Sequence, residues 1–184
     1  MTRRGRPRPV VARLRDVPDD THPSLQRVRD AAMRKGVAIE IRIFPDSTHT
    51  AADAAATVGA ELGQIVKSLV FVAPTERGLE PVVALVSGSN RVDIARLAAV
   101  TGLIGLRRAN ADEASQATGF TIGGIPPFGH VRALRVVMDP DLGRFPVVWA
   151  AAGTPNAVFA VPPATLRSLA NATVAPLAES PPAG

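Results

Sequence analysis

The run of residues 65–73 is the feature that most constrains the fold of this chain. Side chains alternate between the two faces of an extended strand, and here both faces are largely apolar. That pattern is typical of a strand that is covered on both sides. The exceptions are Lys67 and Ser68, in the middle of the run. The run therefore predicts a buried strand that carries a cation.

Lys67 is costly in such a strand unless its ammonium group reaches water or a hydrogen-bond acceptor. One interpretation is that its aliphatic stem lies on apolar surface while the ammonium group emerges at the end of the strand. The other interpretation is functional: the cation binds an oxygen atom or a phosphate group of a ligand. The residues alone leave both interpretations open.

A second informative segment, residues 118–130, is rich in glycine and proline, which is typical of a loop with a defined backbone conformation. The pair Gly123-Gly124 allows backbone angles that other residues avoid, and it lets amide N–H groups approach a ligand closely. Such N–H groups can stabilise a developing oxyanion. The alternative is a tight turn that only connects two elements. Together with Lys67, the loop predicts a cleft for an anion or a polarised carbonyl group.

His130, at the end of this loop, is a candidate general acid or base near neutral pH. It could equally form a hydrogen bond within the loop and take no other part. A catalytic triad of Ser68, His130 and Asp139 has no local support, because Ser68 does not lie in a nucleophile elbow. The sequence therefore does not favour hydrolysis by a serine nucleophile.

Three other side chains are candidates for the walls of the cleft. His49 precedes a helix cap, so it either lines the cleft or closes the turn. Phe44 and Phe128 are candidates for stacking on a ligand, although a phenylalanine packs more commonly in the core. Aromatic residues are scarce in this chain, so phosphate and hydroxyl contacts are expected to matter more than stacking.

The composition excludes several classes of chemistry. The chain has no cysteine, so disulfides, thiolate catalysis and cysteine metal sites are excluded. Its three histidines are far apart in sequence, and a metal centre is not expected. No apolar run approaches the ~20 residues of a membrane span. A cytoplasmic protein without a membrane partner is therefore expected.

The net charge of +5 is concentrated at the start of the chain, where the first fifteen residues hold six arginines and no acidic residue. Such a segment favours nucleic acid or another polyanion, or it is a solvated segment without a partner. Composition divides the 184 residues into a basic, flexible arm over 1–21, one domain over 22–173 and a second flexible segment over 174–184.

Helical and strand patterns alternate within the central domain. Strands are expected over 37–44, 65–73, 81–86, 103–106, 131–138, 147–151 and 157–161. Helices are expected to begin near Leu25, Thr50, Asn90, Asn110 and Pro163. The order does not alternate strictly between strand and helix. It predicts a compact α/β domain with a curved, mixed sheet or a partly closed barrel, flanked by helices.

Four segments, in the expected order and spacing, resemble the YbaK/EbsC family of prolyl-tRNA-synthetase-associated editing domains. They are residues 49–56, residues 63–71, the loop 118–130 with the strand that ends at Asp139, and residues 152–166. The resemblance spans roughly residues 24–170. It implies a compact α/β fold and cleavage of the ester that joins a wrong amino acid to the 3′ end of a tRNA.

The resemblance also implies roles for individual residues. It implies that Lys67 is required and helps to bind the acceptor end of the tRNA. The backbone amides of Gly123 and Gly124 would support the aminoacyl carbonyl. No metal or other cofactor is implied, and water or a substrate hydroxyl or thiol would attack. Further substrate contacts are expected from Phe44, His49, Ser68, Phe128, Gly129, His130, Ala151 and Gly153.

Ala151 stands where the cysteinyl-tRNA-specific branch of this family has a serine, so specificity for cysteine is not expected. The expected function is a free-standing hydrolase that deacylates mischarged tRNA, as a monomer or homodimer, with a synthetase as a second candidate partner. The alternative is a noncatalytic module that holds an aminoacyl-tRNA or an aminoacyl-nucleotide-like ligand. A third hypothesis is a general nucleic-acid binder that acts through its arginine-rich arm.

Overall fold

The computed structural model describes residues 20–48 and 50–180, and the arm expected over 1–21 lies almost wholly outside them. The helices are α1 (Pro23–Met33), α2 (Ala51–Val58), α3 (Ile94–Thr101), α4 (Ala111–Thr118) and α5 (Pro163–Ala170). The strands are β1 (Ile41–Ile43), β2 (Ile65–Thr75), β3 (Gly78–Ser87), β4 (Arg107–Arg108), β5 (Arg135–Met138), β6 (Val148–Ala151), β7 (Ala157–Val161) and β8 (Thr173–Val174). Short 3-10 helices cover Leu62–Gln64 and Pro140–Arg144.

The strands form one mixed sheet in the order β1-β7-β6-β2-β3-β5-β8, and β4 also pairs with β2. The long antiparallel hairpin of β2 and β3 is its centre, while β6 pairs with β2 and β5 pairs with β3 in parallel. The predicted α/β fold with a mixed sheet is confirmed. Of the two predicted forms, the structure has the sheet, which is open and does not close into a barrel.

Strand β2 has two different neighbours along the edge that faces away from β3. Strand β6 pairs with it at Ile65 and Val66, and β4 pairs with it at Phe71 and Val72. Neither neighbour reaches residues 67–69. The sheet is therefore split beside Lys67, and this split positions the candidate site.

Both faces of β2 are buried, as its alternation predicts. Val66 and Val70 belong to the main core, which packs the sheet against α1 and α5. Phe71 and Ala73 belong to a second core on the other face, with Leu97 of α3. No helix within the described residues is long and apolar enough to cross a membrane.

Three predicted strands differ in the structure, and one of them, the strand expected over 131–138, is limited to Arg135–Met138. The strand expected over 37–44 pairs only at Ile41–Ile43, opposite residues 157–159 of β7. In the same register residues 37 and 38 would lie opposite Pro163 and Pro162, and a proline has no N–H to contribute to a ladder. The strand expected over 103–106 is displaced to Arg107–Arg108, since Gly105 adopts a left-handed turn (φ +71°) before it.

Residues 174–180, predicted to be flexible, instead pack against the fold. Val174 pairs with β5, and Leu177 is fully buried in the second core. The backbone N–H groups of Leu177 and Ala178 donate to the carboxylate of Asp139 at 2.6 and 2.8 Å. A buried carboxylate requires such donors, and this requirement orders a segment whose composition is typical of a flexible end.

Candidate functional site

A cavity of about 250 Å³ lies at the split between β4 and β6. Its floor is the middle of β2, and its walls come from α2, from β6, from the start of α4 and from the loop 122–125. Much of the lining is alanine: Ala51, Ala54, Ala109, Ala114, Ala150, Ala151 and Ala157. The cavity therefore offers an apolar recess that accepts a small group, with polar residues at particular points.

Lys67 lines this cavity from the floor. Its ammonium group donates to the main-chain carbonyl of Asn90, and within the described residues it forms no salt bridge with a carboxylate. Burial lowers the pKa of Lys67, and the nearby charges of Arg108 and Arg91 lower it further. A partly desolvated cation among other cations is suited to binding an anion or a carbonyl oxygen.

Ser68 supplies a second polar group at the floor. Its Oγ atom is buried and has no hydrogen-bond partner among the described residues. The N–H of Ala109 donates to the carbonyl of Val70, at 3.0 Å. Because hydrogen-bonding direction alternates along a strand, the peptide groups of Ser68 point toward the same open edge. The main-chain groups of Ser68 therefore face the open edge of the sheet, and its hydroxyl is buried in a residue that lines the cavity.

Gly123 brings the glycine loop to the cavity. It lines the wall, adopts a φ of +94°, and its N–H donates to no other described residue. Gly124 lies behind it, where its N–H donates to the carbonyl of Thr121 at 3.1 Å. Of the two predicted amides, that of Gly123 has no partner among the described residues and that of Gly124 is engaged in a turn.

Two predicted wall residues, Phe128 and His130, lie in or beside the core and do not line the cavity. Phe128 is buried and packs edge-on against Phe159, with ring centroids 5.5 Å apart. The Nε2 atom of His130 lies 2.8 Å from the carbonyl oxygen of Pro126, so the neutral ring donates through Nε2. Burial lowers the pKa of His130, which favours this neutral form. His130 therefore closes the loop.

Gly129, Gly153 and Phe44 also lie away from the cavity lining. Gly129 packs on α1, and Gly153 is so close to the main chain of Ser24 that a Cβ would come within 2.9 Å of its carbonyl oxygen. Phe44 exchanges main-chain and side-chain hydrogen bonds with Asn156. These three residues shape the elements around the site and do not reach into it. His49 lies outside the described residues.

Several cavity residues were missed by sequence reasoning. Trp149, the single tryptophan, lines the cavity and is stacked by the guanidinium group of Arg42 at 4.9 Å from the ring centroid. Trp149 could have been predicted, because it lies two residues before the candidate site residue Ala151 and therefore on the same face of the strand. Arg108 also lines the cavity. It follows a predicted strand, but only the long-range pairing of β4 with β2 brings it near Lys67.

The fold and the cavity together define a class of protein: an α/β domain whose mixed sheet carries an alanine-lined cavity with a lysine at its floor. The comparison with protein families is consistent with this class. Residues 45–169 match the model of the aminoacyl-tRNA editing domain, and the chain belongs to this family. The predicted resemblance is therefore confirmed.

Individual relatives agree with the family. The Bacillus subtilis (strain 168) protein YwhH is 29% identical over 143 residues, which cover 78% of this chain and 88% of YwhH. A proline–tRNA ligase from Stenotrophomonas maltophilia (strain K279a) is 31% identical over 65% of this chain, but over 20% of the ligase. The crystal structure of a candidate trans-editing enzyme for prolyl tRNA synthetase is 46% identical, with a TM-score of 0.78, and covers 86% of this chain and 98% of that chain.

Proposed function

We propose that this protein is a trans-acting deacylase that hydrolyses the ester of a mischarged aminoacyl-tRNA. The observation that carries the proposal is that Lys67, Gly123 and Ser68 line one cavity, where the N–H of Gly123 and the hydroxyl of Ser68 have no partner among the described residues. Membership of the editing-domain family supports it. The likeness to a candidate trans-editing enzyme along nearly its whole length supports action without a covalently attached synthetase.

An aminoacyl ester is already activated, so a site for its hydrolysis needs orientation and charge stabilisation more than a strong base. Water, or a hydroxyl group of the substrate, adds to the ester carbonyl carbon. The N–H of Gly123 stabilises the oxyanion that forms. The bond from the carbonyl carbon to the ribose oxygen then breaks, and the released oxygen takes a proton. With water as the nucleophile, the products are the free amino acid and the uncharged tRNA.

Lys67 has the charge and the position to bind the acceptor end. Its ammonium group is held by the carbonyl of Asn90, and Lys67 lines the cavity, where a phosphate or the ester oxygen of the terminal nucleotide would replace solvent. Arg108 lines the same cavity, so phosphate would meet more than one cation. A carboxylate would compete for these cations, and within the described residues none forms a salt bridge with Lys67 or Arg108.

The alanine-lined recess is the proposed site for the side chain of the amino acid. Small residues on the walls leave room for a small side chain, and the hydroxyl of Ser68 at the floor offers a hydrogen bond. Ala151 lines the wall and adds no polar group there. A tRNA charged with a small, wrong amino acid is therefore the proposed substrate, and the cytoplasm, where tRNAs are charged, is the proposed location.

The test is a panel of tRNAs, each charged with one of several amino acids, incubated with the protein and sampled for the remaining ester. The proposal expects at least one small aminoacyl ester on a proline tRNA to be hydrolysed much faster than in buffer. Hydrolysis of none of them would contradict it. A noncatalytic module would bind a stable aminoacyl-adenosine amide without hydrolysing any ester, and that outcome also overturns the proposal.

A further inference from the structure

The acceptor of the Lys67 ammonium group belongs to a short loop, residues 88–93, which joins β3 to α3. The hydrogen bond is to the main-chain carbonyl of Asn90. A lysine side chain has four rotatable carbons, so the place of its charge depends on such an acceptor. Whatever fixes Asn90 therefore fixes the ammonium group that the proposed function requires.

Asn90 is fixed through its own side chain. Its Nδ2 atom donates to the Oδ2 atom of Asp141 at 2.8 Å, in a partly buried contact. Asp141 lies in the 3-10 helix Pro140–Arg144, whose N-cap is Asp139. A single residue thus accepts a hydrogen bond from Lys67 with its carbonyl and donates one to Asp141 with its amide.

Asp139 in turn holds the 3-10 helix that contains Asp141. Its side chain is buried, with 1% of the residue exposed. One carboxylate oxygen accepts the N–H of Asp141 at 2.9 Å, and the other accepts the N–H groups of Leu177 and Ala178. Asp139 therefore joins the 3-10 helix to the end of the described chain.

Residues 177–179 also form hydrogen bonds with the loop 88–93. The N–H of Asp93 donates to the carbonyl of Leu177 at 2.8 Å, and the N–H of Glu179 donates to the carbonyl of Arg91 at 2.9 Å. The loop is therefore held between the 3-10 helix and the segment 177–179. This explains why a segment of flexible composition is ordered beside the site.

We propose that Asn90 and Asp141 are positioning residues, which hold the carbonyl that places the ammonium group of Lys67 at the cavity. The inference rests on the proposed function for its catalytic consequence, although the positioning itself can be measured on the free protein. Positioning of this kind is worth a large factor in rate, because a displacement of about 1 Å can cost roughly 100-fold.

A reciprocal exchange of the two side chains tests the inference. Asn90→Asp places two carboxylates face to face and removes the donated hydrogen bond. Adding Asp141→Asn restores a donor–acceptor pair with the direction reversed. We expect Asn90→Asp to lower kcat/KM for the charged tRNA about tenfold, mainly through kcat, and the double variant to recover to within about threefold of wild type. If the two residues only stabilised the fold, the loss of kcat/KM in each variant would instead parallel a fall in its melting temperature.

The double variant also controls for charge. It retains the new carboxylate at position 90, so a loss caused only by a negative charge near Lys67 would persist in it. Persistence of the loss in the double variant would overturn the inference. An unchanged kcat/KM in Asn90→Asp would also overturn it.

The second readout does not depend on catalysis. The chain has two lysines, Lys35 and Lys67, so NMR of protein labelled at lysine gives two side-chain signals, and Lys35→Arg assigns them. We expect the Lys67 side chain to become more mobile in Asn90→Asp and to regain its order in the double variant, with Lys35 unchanged. If no ester is hydrolysed, the proposed function fails, but this measurement still tests the positioning inference. Equal mobility of the Lys67 side chain in wild type, Asn90→Asp and the double variant would overturn the positioning inference.

Discussion

Gly124 lies so close to the main chain of Thr154 that a Cβ at Gly124 would come within 2.7–2.9 Å of three Thr154 backbone atoms. Backbone atoms cannot swing aside as the end of a flexible side chain can. The contact therefore joins the glycine loop to the turn that follows β6, and these are two walls of the cavity. A Cβ at Gly123, the preceding residue, would meet only Pro155, at 3.7 Å or more.

This difference predicts that Gly124→Ala destabilises the fold more than Gly123→Ala does. Overpacking against fixed atoms costs about 1–3 kcal/mol. Gly123→Ala has space, and its cost is the positive φ, on the order of 1 kcal/mol. Urea denaturation of both variants checks the order. A Gly124→Ala variant as stable as wild type would show that the walls can separate without cost.

Ser68 leads to a prediction about both stability and activity. Because its buried Oγ has no partner among the described residues, Ser68→Ala removes a polar group that can cost about 1–3 kcal/mol when left unsatisfied. We expect the variant to be as stable as wild type or more so, with altered kcat/KM among the charged tRNAs. Ser87 on the paired strand is the matched control, since its hydroxyl donates to the carbonyl of Gly63 at 2.8 Å. Ser87→Ala should lose about 1 kcal/mol. A comparable loss in Ser68→Ala would argue against an orphaned hydroxyl.

Arg108 is predicted to lower the pKa of Lys67. Burial is the largest cause of the lowered Lys67 pKa, followed by the charges of Arg108 and Arg91. Replacing Arg108 by Gln removes one like charge, so the pKa of Lys67 should rise toward 10.5 without reaching it. Titration of the Lys67 NMR signal measures this, with Lys35 as the internal reference. The same pKa in Arg108→Gln as in wild type would mean that burial alone sets it.

His130 makes a prediction about acid stability. Its pKa is lowered from 6.5 by burial, which outweighs the opposing hydrogen bond to Pro126. The unfolded chain therefore binds more protons at this residue than the folded chain as pH falls below 6.5, and the free energy of unfolding should decrease there. His130→Gln keeps a donor without the titration and should lose less stability between pH 6.5 and 5. If the free energy of unfolding falls equally with pH in wild type and His130→Gln, groups other than His130 cause the loss of stability.

The buried strand β2 and its lysine were predictable because alternation along one strand is a local property. The split beside Lys67 was not, because it depends on where β4 and β6 pair with β2, and those contacts span long separations in sequence. For the same reason, Arg108 was not recognised as a neighbour of Lys67.

The glycine loop shows the same limit. Its composition correctly indicates a shaped loop, but only tertiary packing separates Gly123, at the cavity, from Gly124, against Thr154. Phe128 follows the commoner fate of a phenylalanine and packs in the core. Leu177 lies in a proline-containing segment without periodicity, so nothing local indicates that Asp139 orders it.

The most direct test of the central claim compares single-turnover deacylation of the best mischarged tRNA by wild type, Lys67→Ala and Lys35→Ala. Lys35 is the matched control because its ammonium group donates to Ser168 and Asn171 at the end of α5, and Lys35 does not line the cavity. The account predicts a loss of at least about 100-fold for Lys67→Ala with an unchanged melting temperature, and little change for Lys35→Ala. Equal rates for wild type and Lys67→Ala would contradict it.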